Sequence, residues 1–287
     1  IAPSDKLNIA GIGAGGKGFS DLSEFAKSPY VNIVAFADVD DKQAEAAIKK
    51  WPQARFYKDF REMLDKEGKS IDAVSVSTPD NTHAVAAMPA MQLGKHVYVQ
   101  KPLTHDIYEA RMLTEAARKY KVVTQMGNQG SSGEGVRSIM EWINAGLIGK
   151  VNKVQCWTNR PVWPQGIARP TGDHPVPSHL NWDLWLGPAK EIPYHPSYHP
   201  FNWRGWWDFG TGALGDMACH IMDVVFKTLP ILYPESVECS VPNSWKDGWV
   251  ENNFTDSCPS ASIIHFIYPS TKNKNEKISL TWMDGGL

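Results

Sequence analysis

The distribution of apolar runs predicts an α/β protein: a doubly wound parallel sheet at the N-terminus, followed by an α+β domain with a mostly antiparallel open sheet. Three observations carry this. Strand and helix patterns alternate through residues 1–126, the rhythm that parallel neighbours need for their crossovers. The first crossover turns on Gly13-Ala14-Gly15-Gly16-Lys17-Gly18. Beyond Met126 the alternation gives way to a long aromatic tract and a series of short strands.

Leu7–Ile12 is apolar enough for a strand covered on both faces. Phe19, Leu22 and Ala26 then recur at helical spacing, so the glycines occupy a strand-to-helix turn. Val31–Ala37 is the second strand, and it ends in Asp38, twenty residues past Gly18. There follow a helix at Asp41–Lys50, a strand at Arg55–Tyr57 and a helix at Asp59–Glu67. The same alternation predicts strands at Ile71–Ser77, His96–Val99 and Val122–Met126, with helices at His83–Leu93 and Asp106–Tyr120. In the second domain, 127–287, a helix spans Ser132–Ala145 and a strand Lys150–Trp157. A tract of about 158–208, dense in Pro, Trp, His and Asn, is read as an insert of that domain. A helix at Asp216–Leu229 and strands near Ser236–Val241, Ser260–Tyr268 and Lys277–Trp282 complete it. The chain stops directly after a strand pattern, so further sequence is expected beyond Leu287.

Bulk properties narrow the function classes. A net charge of -2 with scattered lysines offers no basic field for nucleic acid. No apolar run reaches the length of a membrane span. The four cysteines lack the paired spacing of zinc or redox sites and read as isolated thiols. His174, His179, His195 and His199 fit no metal-helix spacing, so no metal is expected. The start at Ile1 is compatible with a removed leader and leaves the compartment open between cytoplasm and periplasm.

Each part of the glycine turn suits a dinucleotide. Gly13 allows a tight turn, Gly15 lets backbone approach a pyrophosphate, and Gly18 lets helix pack close on strand. The amides at Gly16 and Lys17 open the helix, whose N-terminus favours phosphate. Asp38 can accept ribose hydroxyls; with Asp40 and Asp41 beside it, a ribose phosphate is repelled, which favours NAD over NADP. Ligands on such sheets sit beyond the carboxyl ends of the strands. The loops leaving those ends add Thr78, Pro79, Asn81, His83, Gln100, Lys101 and Asn128 to the expected cofactor cleft.

Chemistry is expected from three places. Lys101 follows a strand and is restricted by Pro102, so its ammonium can meet a substrate hydroxyl. Asp216 and His220 are four apart on one helical face, an arrangement that orients and strengthens a general base. The glycines of Gly210–Gly215 ahead of them suit a close approach of backbone to a ligand. In the aromatic tract, Trp203, Arg204 and Trp206 combine rings with polar groups, as carbohydrate binding needs.

Four motifs in order resemble the Gfo/Idh/MocA oxidoreductases: the glycine turn with Asp38, Thr-Pro-x-Asn-Thr-His at Thr78–His83, Gln-Lys-Pro at Gln100–Pro102, and Gly-x-Leu-x-Asp-x-x-x-His at Gly212–His220. The resemblance spans essentially the whole chain. It implies an N-terminal Rossmann domain, a C-terminal α/β domain whose open sheet often forms an oligomer contact, a tightly held nicotinamide and sugar-like substrates. It places the catalytic lysine on Lys101, and the catalytic acid and histidine on Asp216 and His220. Two departures stand out: Gln100 where the family usually has Glu, and a longer stretch between Lys101 and Asp216. The Trp-Arg-x-Trp-Trp-Asp-Phe-Gly-Thr-Gly run in that stretch is similar to a bacterial branch of dehydrogenases without an assigned substrate. The expected activity is NAD-dependent oxidation of a sugar, polyol or glycoside hydroxyl. The alternatives are a glycosidase-like enzyme that retains NAD and a non-catalytic NAD- and sugar-sensing protein.

Overall fold

The computed structural model describes residues 5–246 and 248–287, which fall into two units: 1–127 with 170–200, and 128–169 with 201–287. In the first unit, strands β1 (Leu7–Ile12), β2 (Val31–Ala37), β3 (Arg55–Tyr57), β4 (Ala73–Val76), β5 (His96–Gln100) and β6 (Thr124–Gly127) form one sheet. Its order is β3-β2-β1-β4-β5-β6, with every pairing parallel. The order reverses at β1, which makes the end of β1 the topological switch point.

The sheet is covered on both faces because its strands send alternate residues to opposite sides. Ile9 and Phe36 join a core with Leu22 of α1 (Gly16–Phe25) and Ala44 and Ala47 of α2 (Asp41–Lys50). Their neighbours Ala10, Ala35 and Ala37 face a second core. That core contains Met63 and Leu64 of α3 (Phe60–Glu67), Ala86, Ala87 and Ala90 of α4 (His83–Gln92), and Leu113 of α5 (Ile107–Tyr120). Carboxylates of Asp40, Asp59 and Asp106 cap α2, α3 and α5, whereas α1 starts on Gly15 with no side-chain cap.

The insert divides between the units. Residues 170–200, including the short helix α7 (Trp182–Leu186), group with the parallel-sheet unit. Backbone pairing explains it: Asp41 N–H donates to His179 O at 3.0 Å and Asn181 N–H to Val39 O at 2.9 Å.

In the second unit, α6 (Glu134–Asn144) precedes β7 (Lys153–Trp157). The expected helix over 216–229 starts earlier and is divided, as α8 (Gly212–Ile221) and α9 (Asp223–Thr228). Strands β8 (Ser236–Ser240), β11 (Ile263–Pro269) and β12 (Lys277–Met283) join β7 in the order β7-β12-β11-β8. Only β7 with β12 is parallel. A separate antiparallel hairpin pairs β9 (Ser244–Lys246) with β10 (Val250–Asn252). Met222 and Val225 pack on Ile264, Ile278, Leu280 and Trp282, so the α8–α9 segment covers one sheet face. Among the described residues no helix is long and apolar enough to cross a membrane.

Candidate functional site

The turn after β1 cannot carry side chains where the sequence has its spaced glycines. Gly13 has φ +81, and a Cβ there would lie 2.5 Å from Ser77 O; one on Gly18 would overlap Gly13 O. At Gly15 the close neighbour is Gln43 of α2, whose Cβ would be 2.5 Å away. Gly16 differs: nothing lies within 4 Å of a Cβ built there. The uncapped start of α1 therefore opens on unfilled space at a helix N-terminus, where an anion is favoured. Asp38 organises this turn through Oδ2, which accepts from Ala14 N–H at 2.8 Å and Gly15 N–H at 3.1 Å, while Oδ1 accepts from Asp40 N–H at 3.0 Å. Burial pushes its carboxyl above the ordinary range, against the pull of those three amides. Oδ1, with a single amide donor, has a second lone pair with which to meet a ribose hydroxyl. These residues fit a dinucleotide.

The neighbouring acids do not add to that charge as expected. Asp41 pairs with Lys58 at 2.7 Å. Asp40 turns away to His179 and His199 at 2.8 and 2.7 Å. Of the three acids, Asp38 is the one whose carboxylate is held on the glycine turn. The other two histidines of the tract, His174 and His195, stack edge to face.

Beside the turn is a buried carboxylate that sequence reasoning missed. Asp21, 4% exposed, accepts from Lys17 Nζ, from Ser77 Oγ at 2.9 Å and from Gln100 Nε2 at 2.7 Å. The sequence signal was the i,i+4 spacing of Lys17 and Asp21. This network accounts for the Gln where the family usually has Glu. A buried carboxylate needs donors, and a second acid at position 100 would face it across hydrogen-bonding distance. Lys17 and Gln100, both expected at the cofactor, are held on Asp21. Lys101 N–H continues the β5–β6 ladder to Gly127 O at 3.1 Å, so the lysine leaves the sheet from a fixed strand end.

The loop after β4 is tied to the loop after β5 by His83, 1% exposed, which begins α4. Its Nδ1 lies 2.8 Å from Pro102 O and its Nε2 2.9 Å from Thr78 O. Burial, helped by the Lys101 charge, pushes the imidazole below its usual pKa. In the neutral ring one of the two contacts carries the hydrogen. Pro79 and Thr78 shape the turn around Thr82, whose Oγ1 donates to Pro79 O at 2.9 Å and lies 2.8 Å from Thr78 Oγ1. Asn81 is buried; its Nδ2 donates to Leu186 O at 2.9 Å, and its Oδ1 has no partner among the described residues. An unmatched buried acceptor in this crevice suits a ligand donor.

In the second unit, Asp216 accepts from Arg204 Nε at 3.3 Å. Arg204 is itself stacked on Trp203 at 4.2 Å and Phe201 at 4.5 Å. His220 Nδ1 lies 3.0 Å from Gln129 O. A carbonyl can only accept, so Nδ1 carries the hydrogen and the basic lone pair is on Nε2. The backbone of Gln129 thus contributes to the orientation of the ring, and a carbonyl leaves no side-chain signal to read. Asn128 anchors the same loop, its Nδ2 donating to Cys219 O at 2.6 Å. The glycines before the helix serve protein packing instead of a ligand: a Cβ on Gly210 would lie 2.5 Å from Arg204 Cα, and one on Gly212 2.9 Å from Cys258. Trp206, expected at a sugar, is 1% exposed and offers no ring face; Trp203 is buried as well. Among the described residues no cluster of three or more His, Cys, Asp or Glu could hold a metal.

Two family models match this chain. One, the oxidoreductase family's NAD-binding Rossmann fold, covers residues 7–128; the other, that family's C-terminal alpha/beta domain, covers residues 133–250. The chain belongs to the Gfo/Idh/MocA oxidoreductase family. Residues 7–128 are the family's NAD-binding Rossmann domain. Among curated relatives, an α-N-acetylgalactosaminidase of Shewanella oneidensis is 29% identical over 53% of this chain and 35% of its own length. The NAD-dependent scyllo-inositol 2-dehydrogenase of Bacillus subtilis is 27% identical over 60% of this chain and 47% of its own. These matches thus span less than half of either relative. The fold matches the WlbA dehydrogenase of Chromobacterium violaceum, crystallised with NADH and UDP-GlcNAcA, at a TM-score of 0.68 and 18% identity, over all of this chain and 69% of that one.

Two outcomes test the first unit. Gln100→Glu sets a second carboxylate against Asp21 and lowers stability by roughly 2–4 kcal/mol, whereas Asp21→Asn/Gln100→Glu regains at least half of the loss in urea unfolding. Equal stability of the two variants would refute the network. His83 has a folded-state pKa below its unfolded value of about 6.5, so its contribution is complete above that pH and is lost as pH falls beneath it. Between pH 7 and 5, His83→Gln should flatten the loss of stability, by up to about 1.4 kcal/mol per pH unit. Parallel slopes for the two proteins would sink this assignment.

Proposed function

We propose that the protein is an NAD-dependent oxidoreductase acting on a CH–OH group of a sugar, polyol or glycoside. The observation that carries the reading is His220, held by a carbonyl in the tautomer whose Nε2 can take a hydroxyl proton. Bound NAD supplies the acceptor for the hydride. Lys101 steadies the developing alkoxide through its ammonium, a charge that needs no reorganisation as the proton leaves. Asp216, paired with Arg204, places that guanidinium on its aromatic shelf, where it can meet substrate hydroxyls. Asp38 selects NAD over NADP. The open sheet of the second unit is the surface this reading assigns to an oligomer contact.

A second reading has the same residues oxidise a glycoside ring carbon, eliminate the aglycone and reduce the carbon again. The similarity to an α-N-acetylgalactosaminidase favours it. The two differ in whether NADH accumulates. Incubation with NAD and a panel of inositols, sugars and N-acetylhexosamine glycosides, followed by absorbance and product mass, separates them. In either case His220→Asn should lower turnover by roughly 10²–10⁴-fold while leaving NAD affinity unchanged. Undiminished turnover in that variant would overturn the role of His220.

A further inference from the structure

Residues 179–199 are fastened at two separate places on the NAD-binding unit. At one end is Asp40, 1% exposed. Its Oδ1 accepts from Lys42 N–H at 2.9 Å, as the cap of α2, and faces His179 Nδ1 at 2.8 Å. Its Oδ2 faces His199 Nε2 at 2.7 Å. Asp40 and Leu180 form an antiparallel bridge, and Lys58 Nζ, already paired with Asp41, donates to His179 O at 3.2 Å. Burial alone would raise the Asp40 carboxyl, but the two imidazoles outweigh it and hold the group below the ordinary range.

At the other end, Leu186 O accepts from Asn81 Nδ2, and Gly187 has no Cβ where Thr82 Cγ2 lies, 2.6 Å from the built position. Asp40 follows β2 and Asn81 follows β4. These strands are the two neighbours of β1, whose end carries the glycine turn. The segment thus links both loops that flank the switch point. It is also stiff: Trp182 stacks on Trp185 at 4.6 Å, Trp185 meets the His199 ring edge to face at 5.7 Å, and Trp182 Nε1 donates to Ile192 O at 2.8 Å.

We propose that residues 179–199 are a cofactor-retaining strap latched through Asp40, with His179 and His199 as positioning residues. The proposal rests on NAD binding at the glycine turn and Asp38. The strap joins the two loops that flank the turn, and by this proposal it slows the parting of those loops that releases a dinucleotide held there. Retention suits chemistry that returns electrons in place: the hydride taken from a substrate carbon goes back to that carbon or to a second carbonyl before NAD departs. It therefore favours the oxidation–elimination–reduction reading over net dehydrogenation.

The test is the rate of NAD release from loaded, desalted protein, chased with excess ADP-ribose and followed by NAD content after gel filtration. His179→Ala/His199→Ala should release NAD at least tenfold faster than the wild type. His199→Gln, whose amide can donate from nearly the same place as Nε2, should restore slow release. A merely structural role would lower urea stability in the apo-protein without separating Ala from Gln in the release rate. Wild-type release rates in a folded double variant would overturn the strap. Should that variant not fold, His199→Ala alone is held to the same criterion. Failure of the wild type to bind NAD at all would overturn the cofactor reading itself, and the strap with it.

Discussion

Backbone contact at the β1–α1 turn is the constraint on which the first unit depends. Strand end, turn and helix start come so close at Gly13 and Gly18, and α2 so close at Gly15, that no β-carbon fits. Crowding on the protein side leaves the other side of the turn, at Gly16, open. A site for phosphate oxygens results from where side chains are forbidden and where the helix lacks a cap.

Three carboxylates then distribute the work around that turn. Asp38 holds the turn by its own amides. Asp21 reaches from α1 to the ends of β4 and β5, and so links the phosphate turn to the strand from which Lys101 departs. Asp40 caps α2 and gathers the two histidines of the insert. Each acid is buried or partly buried and each is matched by donors, which is how such charges are tolerated. Only Asp38 is surrounded by amides alone, which suits it to a hydroxyl-bearing ligand.

The second unit solves a different problem, the presentation of a base. His220 sits on a helix that packs on Leu280 and Trp282, and the loop at Asn128–Gln129 is tied to the same helix. Main chain, through Gln129 O, contributes to the ring's orientation. Arg204, held between rings and paired with Asp216, adds a cation beside the helix.

The strand–helix alternation, the glycine frame, the strand-end loops and the Lys101 position are written in local patterns: apolar runs, glycines at fixed intervals, a lysine before proline. Gln100 appeared as a mere departure from a motif, because its partner Asp21 is 79 residues away. The reach of the insert was equally hidden, since His179 and His199 meet Asp40 across 139 and 159 residues. Trp206 and Trp203 looked like sugar platforms, and only burial distinguishes a packing ring from a binding one. By itself, then, the sequence determined the fold class and the cofactor turn, because these depend on residues adjacent in the chain. Tertiary structure alone decided which acid serves which partner, which carbonyl orients His220 and which unit owns residues 170–200, because those depend on contacts between residues that chain order keeps far apart.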